Sequence, residues 1–464
     1  MSGYGPTVEK HTLHKEVRIS VYTKRQRIAK IAKQHPDEPI TLLHHYIDEE
    51  WLTASFYFLP KDKAPGIDQQ TWYQYEENLE ENIKSLLNRA KSGSYKAPAV
   101  RRTKIPKPGS KEKRKLGIPT TEDKVLQKAV LMVLEPIYEL EFLNFSFGFR
   151  RGKSQHQALE HLWKGIMDNN IQWIIDLDIR SFFDTVKHEI LRRLLRNRVR
   201  DGVITRLIGK WLKAGVLEDG SIHYSDEGTP QGGIVSPMLS NIYLHEALDK
   251  WYAEEIRPTL KGRSIIVRFA DDVVIGFESK EEALKVLEAL KRRFEEFGLE
   301  LHPEKTRLVY FGKPKGETRR ADGTRPGTFD FLGFTHYWGK SFKGNWVVRR
   351  KTSSKKFREK LKKMNEWCRE NRHSPIRWQH MKLCQKLKGH YAYYGITGNI
   401  DSLQKYLHEV TRIWKKWLNR RSWRGHKLTW DRFNEMLKEH IPLSQAKIVH
   451  SITQRNHKSR NRVH

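Results

Sequence analysis

Only two of the 464 residues are cysteine, Cys368 and Cys384, too few for a disulfide framework or a cysteine-rich zinc site. Both read as packing residues in a reducing compartment. Long apolar runs are missing as well, since nothing approaches the roughly 20 residues that cross a bilayer. The polar start MSGYGPTVEK has no signal-peptide core. The expectation is a cytoplasmic protein with no membrane partner. No internal repeat and no long low-complexity linker occurs, only loop-like stretches such as Gly312 to Thr328. Negative charge is also scarce: 55 Asp and Glu face 87 Lys and Arg, a formal net charge of +32. Such an excess implies a polyanionic partner, nucleic acid ahead of anionic membrane. The length leaves room for several domains with substantial cores.

The most telling stretch runs from Ile265 to Phe277, IIVRFADDVVIGF. It is apolar but broken at its centre by Ala270, Asp271 and Asp272, which predicts a hairpin with adjacent carboxylates at its tip. A plain solvated turn uses Asp in the same way. A second acidic strand upstream moves the balance. In WIIDLDIRSFF, Trp173 to Phe183, Ile175, Leu177 and Ile179 point to one face and Asp176 and Asp178 to the other. Brought together, Asp178, Asp271 and Asp272 would repel one another unless a divalent cation neutralised them. Mg²⁺ suits such a set because it binds a few carboxylates and completes its shell with water and substrate phosphates. The pattern predicts a two-metal phosphoryl-transfer site.

Residues 101–119, RRTKIPKPGSKEKRKLGIP, are densely basic around a Pro-Gly turn. Lys107 and Arg114 fall across that turn from each other, where they could grip a triphosphate. A solvated charge run has the same composition. Gly228 to Asn241, GTPQGGIVSPMLSN, reads as a loop that leads into a helix after Pro237. Farther on, Ser279 and Glu282 make a capping-box pattern. Leu284, Leu287, Leu290 and Phe294 give the helix an apolar face, and Gly298 ends it.

The order of a basic strand, LDIRSFFD, GTPQGGIVSPMLSN, RFADD, GLELHPEKT and FLGF resembles the reverse transcriptase palm of bacterial group II intron-encoded proteins. These motifs span most of residues 50–340. KLKGHYAYYGITGN, Lys386 to Asn399, and IWKKWLNRRS resemble the maturase-specific thumb of the same family, so the likeness covers nearly the whole chain. It implies an α+β right-hand polymerase, with fingers and an antiparallel palm sheet backed by helices, and a helical thumb/maturase domain. The expected boundaries are an N-terminal extension (1–45), fingers and palm (46–345), thumb/maturase domain (346–445) and a basic tail (446–464).

Carried over by position, the resemblance makes Asp178, Asp271 and Asp272 the ligands of two Mg²⁺ ions, or Mn²⁺ in their place, with the Ile179 carbonyl as a further ligand. Lys305 matches a lysine that protonates the leaving pyrophosphate, although a surface lysine fits the pattern equally. Phe183 matches a steric gate against ribose, with a core aromatic as the alternative. Gln231 matches a glutamine beside the incoming nucleotide, and Lys107 and Arg114 match triphosphate contacts. Phe331, Leu332 and Gly333 resemble the primer grip. Phe269 departs from the family, whose hairpin more often begins with tyrosine. Asp176 shares a strand face with Asp178 and reads either as a supporting group or as solvated.

The final third is helical in pattern and rich in tryptophan, and most of those rings read as core. Lys415, Lys416, Arg420, Arg421 and Arg424 cluster as a phosphate-backbone footprint. Tyr391, Tyr393 and Tyr394 suit either base stacking or helix packing. The Cys- and His-rich endonuclease module of many relatives is not in the sequence, so bottom-strand DNA cleavage is not expected.

The resemblance implies an RNA-directed DNA polymerase that extends a DNA or RNA primer on an RNA template with deoxynucleoside triphosphates. It also implies maturase binding of structured group II intron RNA. The alternatives are a host-recruited enzyme of the same chemistry, in DNA repair or phage defence, and a non-enzymatic RNA-binding splicing factor. Oligomeric state is not legible.

Overall fold

The computed structural model describes residues 6–106, 113–218, 221–224, 227–228, 232–314, 326–421, 428–439 and 441–451. The chain forms two compact units, one of Met1–Ala158, Leu177–Ile275 and Glu281–Arg307, the other of Leu159–Asp176, Gly276–Lys280 and Leu308–His464. The boundary expected near residue 345 therefore falls inside the second unit. The strands are β1 (Val100–Pro106), β2 (Lys113–Ile118), β3 (Trp173–Leu177), β4 (Val216–Glu218), β5 (Ser221–His223), β6 (Ser264–Phe269), β7 (Asp272–Phe277), β8 (Arg307–Tyr310), β9 (Phe329–Phe331), β10 (Phe334–Lys340) and β11 (Trp346–Thr352). They make three sheets in the orders β2-β1-β4-β5, β6-β7-β3-β8 and β11-β10-β9.

The first unit is built on the helix Thr121–Glu141. Its start is capped by Thr120, whose side chain accepts from the Asp123 amide. Val125, Leu126, Ala129, Val130, Val133, Leu134 and Ile137 are all fully buried, so a broad apolar face of this helix makes it the core. Each larger aliphatic side chain contributes about 1.5–3 kcal/mol by leaving water. Within the N-terminal segment before residue 45 lies one long helix, Pro6–Gln34, which packs on Thr121–Glu141. Its buried Val21, Ile28 and Ala32 form a stripe too sparse to stand out among the charges. In the sheet β2-β1-β4-β5, β1 pairs antiparallel with β2 and parallel with β4.

The order β3, helices, β6, β7, helix, β8, with β3 between β7 and β8, is a split βαβ arrangement. The helix after Pro237 is present as Ser236–Leu244, and it continues through wide turns of π type from His245 to Ile256. The helix before Gly298 spans Lys280–Glu296. Its buried face is Ala283, Val286, Leu290 and Phe294, while Leu284 is 45% exposed. The apolar face is rotated from the expected one because Ala283 and Val286, rather than Leu284 and Leu287, sit at the closest packing positions.

In the second unit, β9, β10 and β11 form an antiparallel meander. The helices Ser354–Glu370, Ile376–Tyr394, Ile400–Leu418 and Trp430–Glu439 follow. Trp414 is fully buried and donates to Gln379 Oε1 at 3.0 Å, and Tyr391 is buried and donates to the Ser444 carbonyl. These rings belong to the core. Cys368 is buried and Cys384 is partly exposed, and both are free thiols.

Candidate active site

The Gln172 amide donates to the Phe277 carbonyl at 2.8 Å, which puts the beginning of β3 beside the end of β7. The two neighbours are therefore antiparallel. Asp178 follows the end of β3 directly, and Asp271 lies in the turn before β7. Ile175, Leu177 and Ile179 are buried, whereas the Asp178 side chain stays 40% exposed, as the alternation requires. The Asp178 carbonyl accepts from the His302 amide at 2.8 Å and from Thr306 Oγ1 at 3.2 Å. The Arg180 amide donates to the Glu300 carbonyl, and Ile179 bridges Leu301. The GLELHPEKT segment is thus sewn to the end of β3, and this brings Lys305 Nζ to 3.5 Å from Asp178 Oδ1.

Strands β6 and β7 are joined by Ala270 and Asp271 alone, with Ala270 in the left-handed region at φ +59°. Behind this tip lies an ion pair with no solvent exposure. Arg268 Nε and Nη2 donate to the two oxygens of Asp249 at 2.7 and 2.5 Å. Burial pushes the Asp249 carboxyl up, but Arg268 and His245 outweigh it and leave the group below the ordinary carboxylate range. The remaining guanidinium nitrogen, Nη1, donates to Asn241 Oδ1 at 2.9 Å and to the Ala270 carbonyl at 3.2 Å. Removing one partner of such a buried pair costs about 3–5 kcal/mol.

Among the described residues, no group of three His, Cys, Asp or Glu side chains is gathered so as to hold a metal ion. The donor chemistry still fits Mg²⁺, which is bound through one or two carboxylates plus substrate phosphates rather than by an all-protein cage. Asp178, Asp271 and Asp272 each offer hard carboxylate oxygens of the kind Mg²⁺ takes.

Phe183 is half-buried, with its ring against Phe182 at 5.5 Å. Gly228, at φ +88°, comes so near that an added Cβ would lie 3.1 Å from the Phe183 carbonyl oxygen, so the glycine-rich loop begins against the Phe183–Asp184 backbone. The loop's far side hangs from Gln127, whose Oε1 accepts from the Ile234 and Val235 amides at 2.8 and 3.4 Å. Gln127 in turn donates to Asp123, which also accepts from Tyr95 and Trp211. Burial pushes the Asp123 carboxyl up to about 6 against those three donors. Lys107 and Gln231 lie outside the described residues. Arg114 sits in β2 opposite Ile105, and its side chain is outside them too.

Within the second unit, Leu332 and Gly333 form the two-residue turn between β9 and β10, both at positive φ (49° and 80°). This is the pattern of a type I′ hairpin. Tyr393 Oη donates to the Leu332 carbonyl at 2.9 Å, and the Ser353 amide to the Gly333 carbonyl at 3.0 Å. Phe331 is buried beneath. A cavity of about 540 Å³ adjoins this turn, lined by Gly333, Lys356, Lys360, Lys386, Trp367 and Tyr393 among others.

The C-terminal basic cluster divides. Lys416 and Arg420 are exposed, their charges 5.3 and 5.4 Å from the Trp417 ring. Lys415 is a correction to the expected footprint, because it is only 8% exposed and its ammonium sits 4.7 Å over Trp430. Three residues from Leu418 on one helix, it faces the core. Arg421 is half-buried and reaches the His373 carbonyl at 3.4 Å, and Arg424 lies outside the described residues.

Sequence reasoning missed Arg268, Asp249, Asn241, Asp123 and Gln127. Arg268 carried a signal, a guanidinium within an apolar strand that needs a buried anion. It also missed Arg192, Arg193, Arg196 and Lys213 of the first unit, which line adjoining hollows of about 610 and 730 Å³. The described residues contain no helix long and apolar enough to cross a membrane.

Residues 105–336 match the family model described as reverse transcriptase (RNA-dependent DNA polymerase). The group II intron-encoded protein LtrA of Lactococcus lactis subsp. cremoris is 38% identical over 49% of this chain, and the match covers 37% of LtrA. Protein YkfC of Escherichia coli K12 is 33% identical over 56% of this chain and 77% of its own length. Nuclear intron maturase 3, mitochondrial, of Arabidopsis thaliana is 30% identical over 35% of this chain and 22% of its own. The chain thus spans little more than a third of LtrA.

Proposed function

This chain belongs to the reverse transcriptase (RNA-dependent DNA polymerase) family, and from that membership we propose that it copies RNA into DNA by phosphoryl transfer and binds structured group II intron RNA. The observation that carries the reading is Lys305 Nζ at 3.5 Å from Asp178 Oδ1, just past the end of β3. Asp178, Asp271 and Asp272 would hold divalent metal together with substrate phosphates. When bound, Mg²⁺ supplies a lowered pKa for a primer 3′-hydroxyl and neutralises charge on the triphosphate.

The chain's own groups do the rest. Lys305 donates a proton toward the departing pyrophosphate. Phe183 stands under the incoming sugar and leaves no room for a 2′-hydroxyl. The Leu332–Gly333 turn supports the primer end, and the lysine-lined cavity beside it, with Lys416 and Arg420, binds phosphates. The intron-encoded and maturase titles of relatives support intron RNA as a ligand.

The test is extension of a DNA primer on an RNA template with deoxynucleotides and Mg²⁺. The parent should extend, and Asp271→Ala should abolish extension while retaining RNA binding. Extension by that variant at the parent rate refutes the site.

A further inference from the structure

We propose that Arg268, Asp249 and Asn241 are positioning residues that lock the Ala270–Asp271 turn and so fix where its carboxylates point. This deepens the polymerase reading and rests on it for its functional consequence.

The turn needs such a lock. Ala270 has a Cβ yet sits at φ +59°, a conformation that favours glycine. Its carbonyl is held by Arg268 Nη1 at 3.2 Å, and its amide is backed by Gly148, where an added Cβ would come within 2.2 Å of the Ala270 nitrogen. Asn241 joins the two restraints, accepting from Arg268 Nη1 at 2.9 Å and donating to the Gly148 carbonyl at 2.7 Å. The backbone of Arg268 is tied as well, its amide to the Phe145 carbonyl and its carbonyl to the Phe147 amide. Asp249 fills the other side of the guanidinium fork and fixes its plane.

Arg268 and Asp249 are fully buried, so neither touches a substrate. A pair that only filled the core would need no bond to Ala270. Here one guanidinium nitrogen serves the turn and the asparagine that clamps its opposite side. The effect must reach Asp271, the next residue, through the backbone.

The experiment replaces the pair with apolar residues, Arg268→Met with Asp249→Leu, because such swaps can preserve stability. With folding and template–primer affinity retained, kcat should fall about 100-fold, the scale of a small displacement of catalytic groups. Amide hydrogen exchange at residues 269–272, measured without metal, should quicken about tenfold while the rest of the unit keeps its protection. Adding Ala270→Gly should recover about tenfold in kcat, the factor set by the left-handed penalty of an L residue.

A folded double variant with parental kcat and parental exchange at the turn overturns the proposal, as does failure of Ala270→Gly to recover any rate. If the double variant does not fold, Asn241→Ala carries the same readouts, and unchanged exchange at the turn overturns it. Failure of the polymerase reading would show separately, as a parent that does not extend primers, while the exchange measurement would still judge the lock.

Discussion

Lys305 Nζ stands 3.5 Å from Asp178 Oδ1 because the turn that carries the lysine is bonded through His302 and Thr306 to the Asp178 carbonyl. Both side chains are well exposed, so their attraction is weak and the ammonium is free to turn toward a leaving group. Lys305→Ala should lower single-turnover extension by about 10²-fold or more with the melting temperature unchanged. Lys305→Arg should not restore the rate, since a guanidinium does not give up its proton. An alanine variant as fast as the parent would leave Lys305 a surface residue.

The Phe183 ring meets Phe182 edge-on, and Gly228 packs against the Phe183 backbone. Phe183→Ala should raise the ribonucleotide to deoxynucleotide ratio of kcat/KM by about 10- to 200-fold, the range for a change in pocket volume. Steady-state competition between the two nucleotides measures it. An unchanged ratio removes the gate.

The acidic strand and hairpin were legible because alternation around Asp178 and the break at Ala270 are local patterns. Long-range bonds were not. Nothing in the spacing of Gln127 and Ile234 says that one carries the other, and Asp249 becomes Arg268's partner only once wide helical turns bring its face round. Lys415 shows a different limit. A run of charges hides which members face inward, because helical phase is read from apolar residues and the lysine stem is itself apolar. The helix at residue 6 was illegible for a related reason: its few buried residues lie far apart among lysines and arginines.

The two units should respond to acid in opposite directions. Burial, then Arg350, holds His336 down to about 3, and burial, then Lys360, does the same for His390. Folded pKa values below the unfolded value near 6.5 mean that their stability is present above pH 6.5 and is lost as pH falls, by about 1.4 kcal/mol per pH unit for each group. Asp123 has the reverse sign. Its pKa is raised from 3.8 to about 6, so its contribution is complete below pH 4 and is lost as pH rises through 6. Native-state hydrogen exchange at pH 4.5 and 6.5 should show the second unit losing protection at the lower pH. His336→Phe should lessen that loss, and Asp123→Asn should lessen the opposing trend in the first unit. Parallel behaviour of both units in all three proteins would contradict these assignments.

Adjacent lysines on one helix should separate binding from packing. Lys416 and Arg420 are exposed beside Trp417, whereas the Lys415 ammonium lies over Trp430 within the fold. Neutralising a phosphate contact reduces counterion release, so Lys416→Gln and Arg420→Gln should each weaken RNA binding. Each should also flatten the log–log salt slope by about 0.7 to 0.9. Lys415→Met should leave that slope at the parental value and instead shift the melting temperature, since it exchanges a cation–π contact for a thioether against the same ring. Filter binding of a structured RNA across a salt series, with thermal melts of the same preparations, distinguishes the cases. A Lys415→Met slope as shallow as that of Lys416→Gln would mean that the buried lysine reaches a phosphate after all.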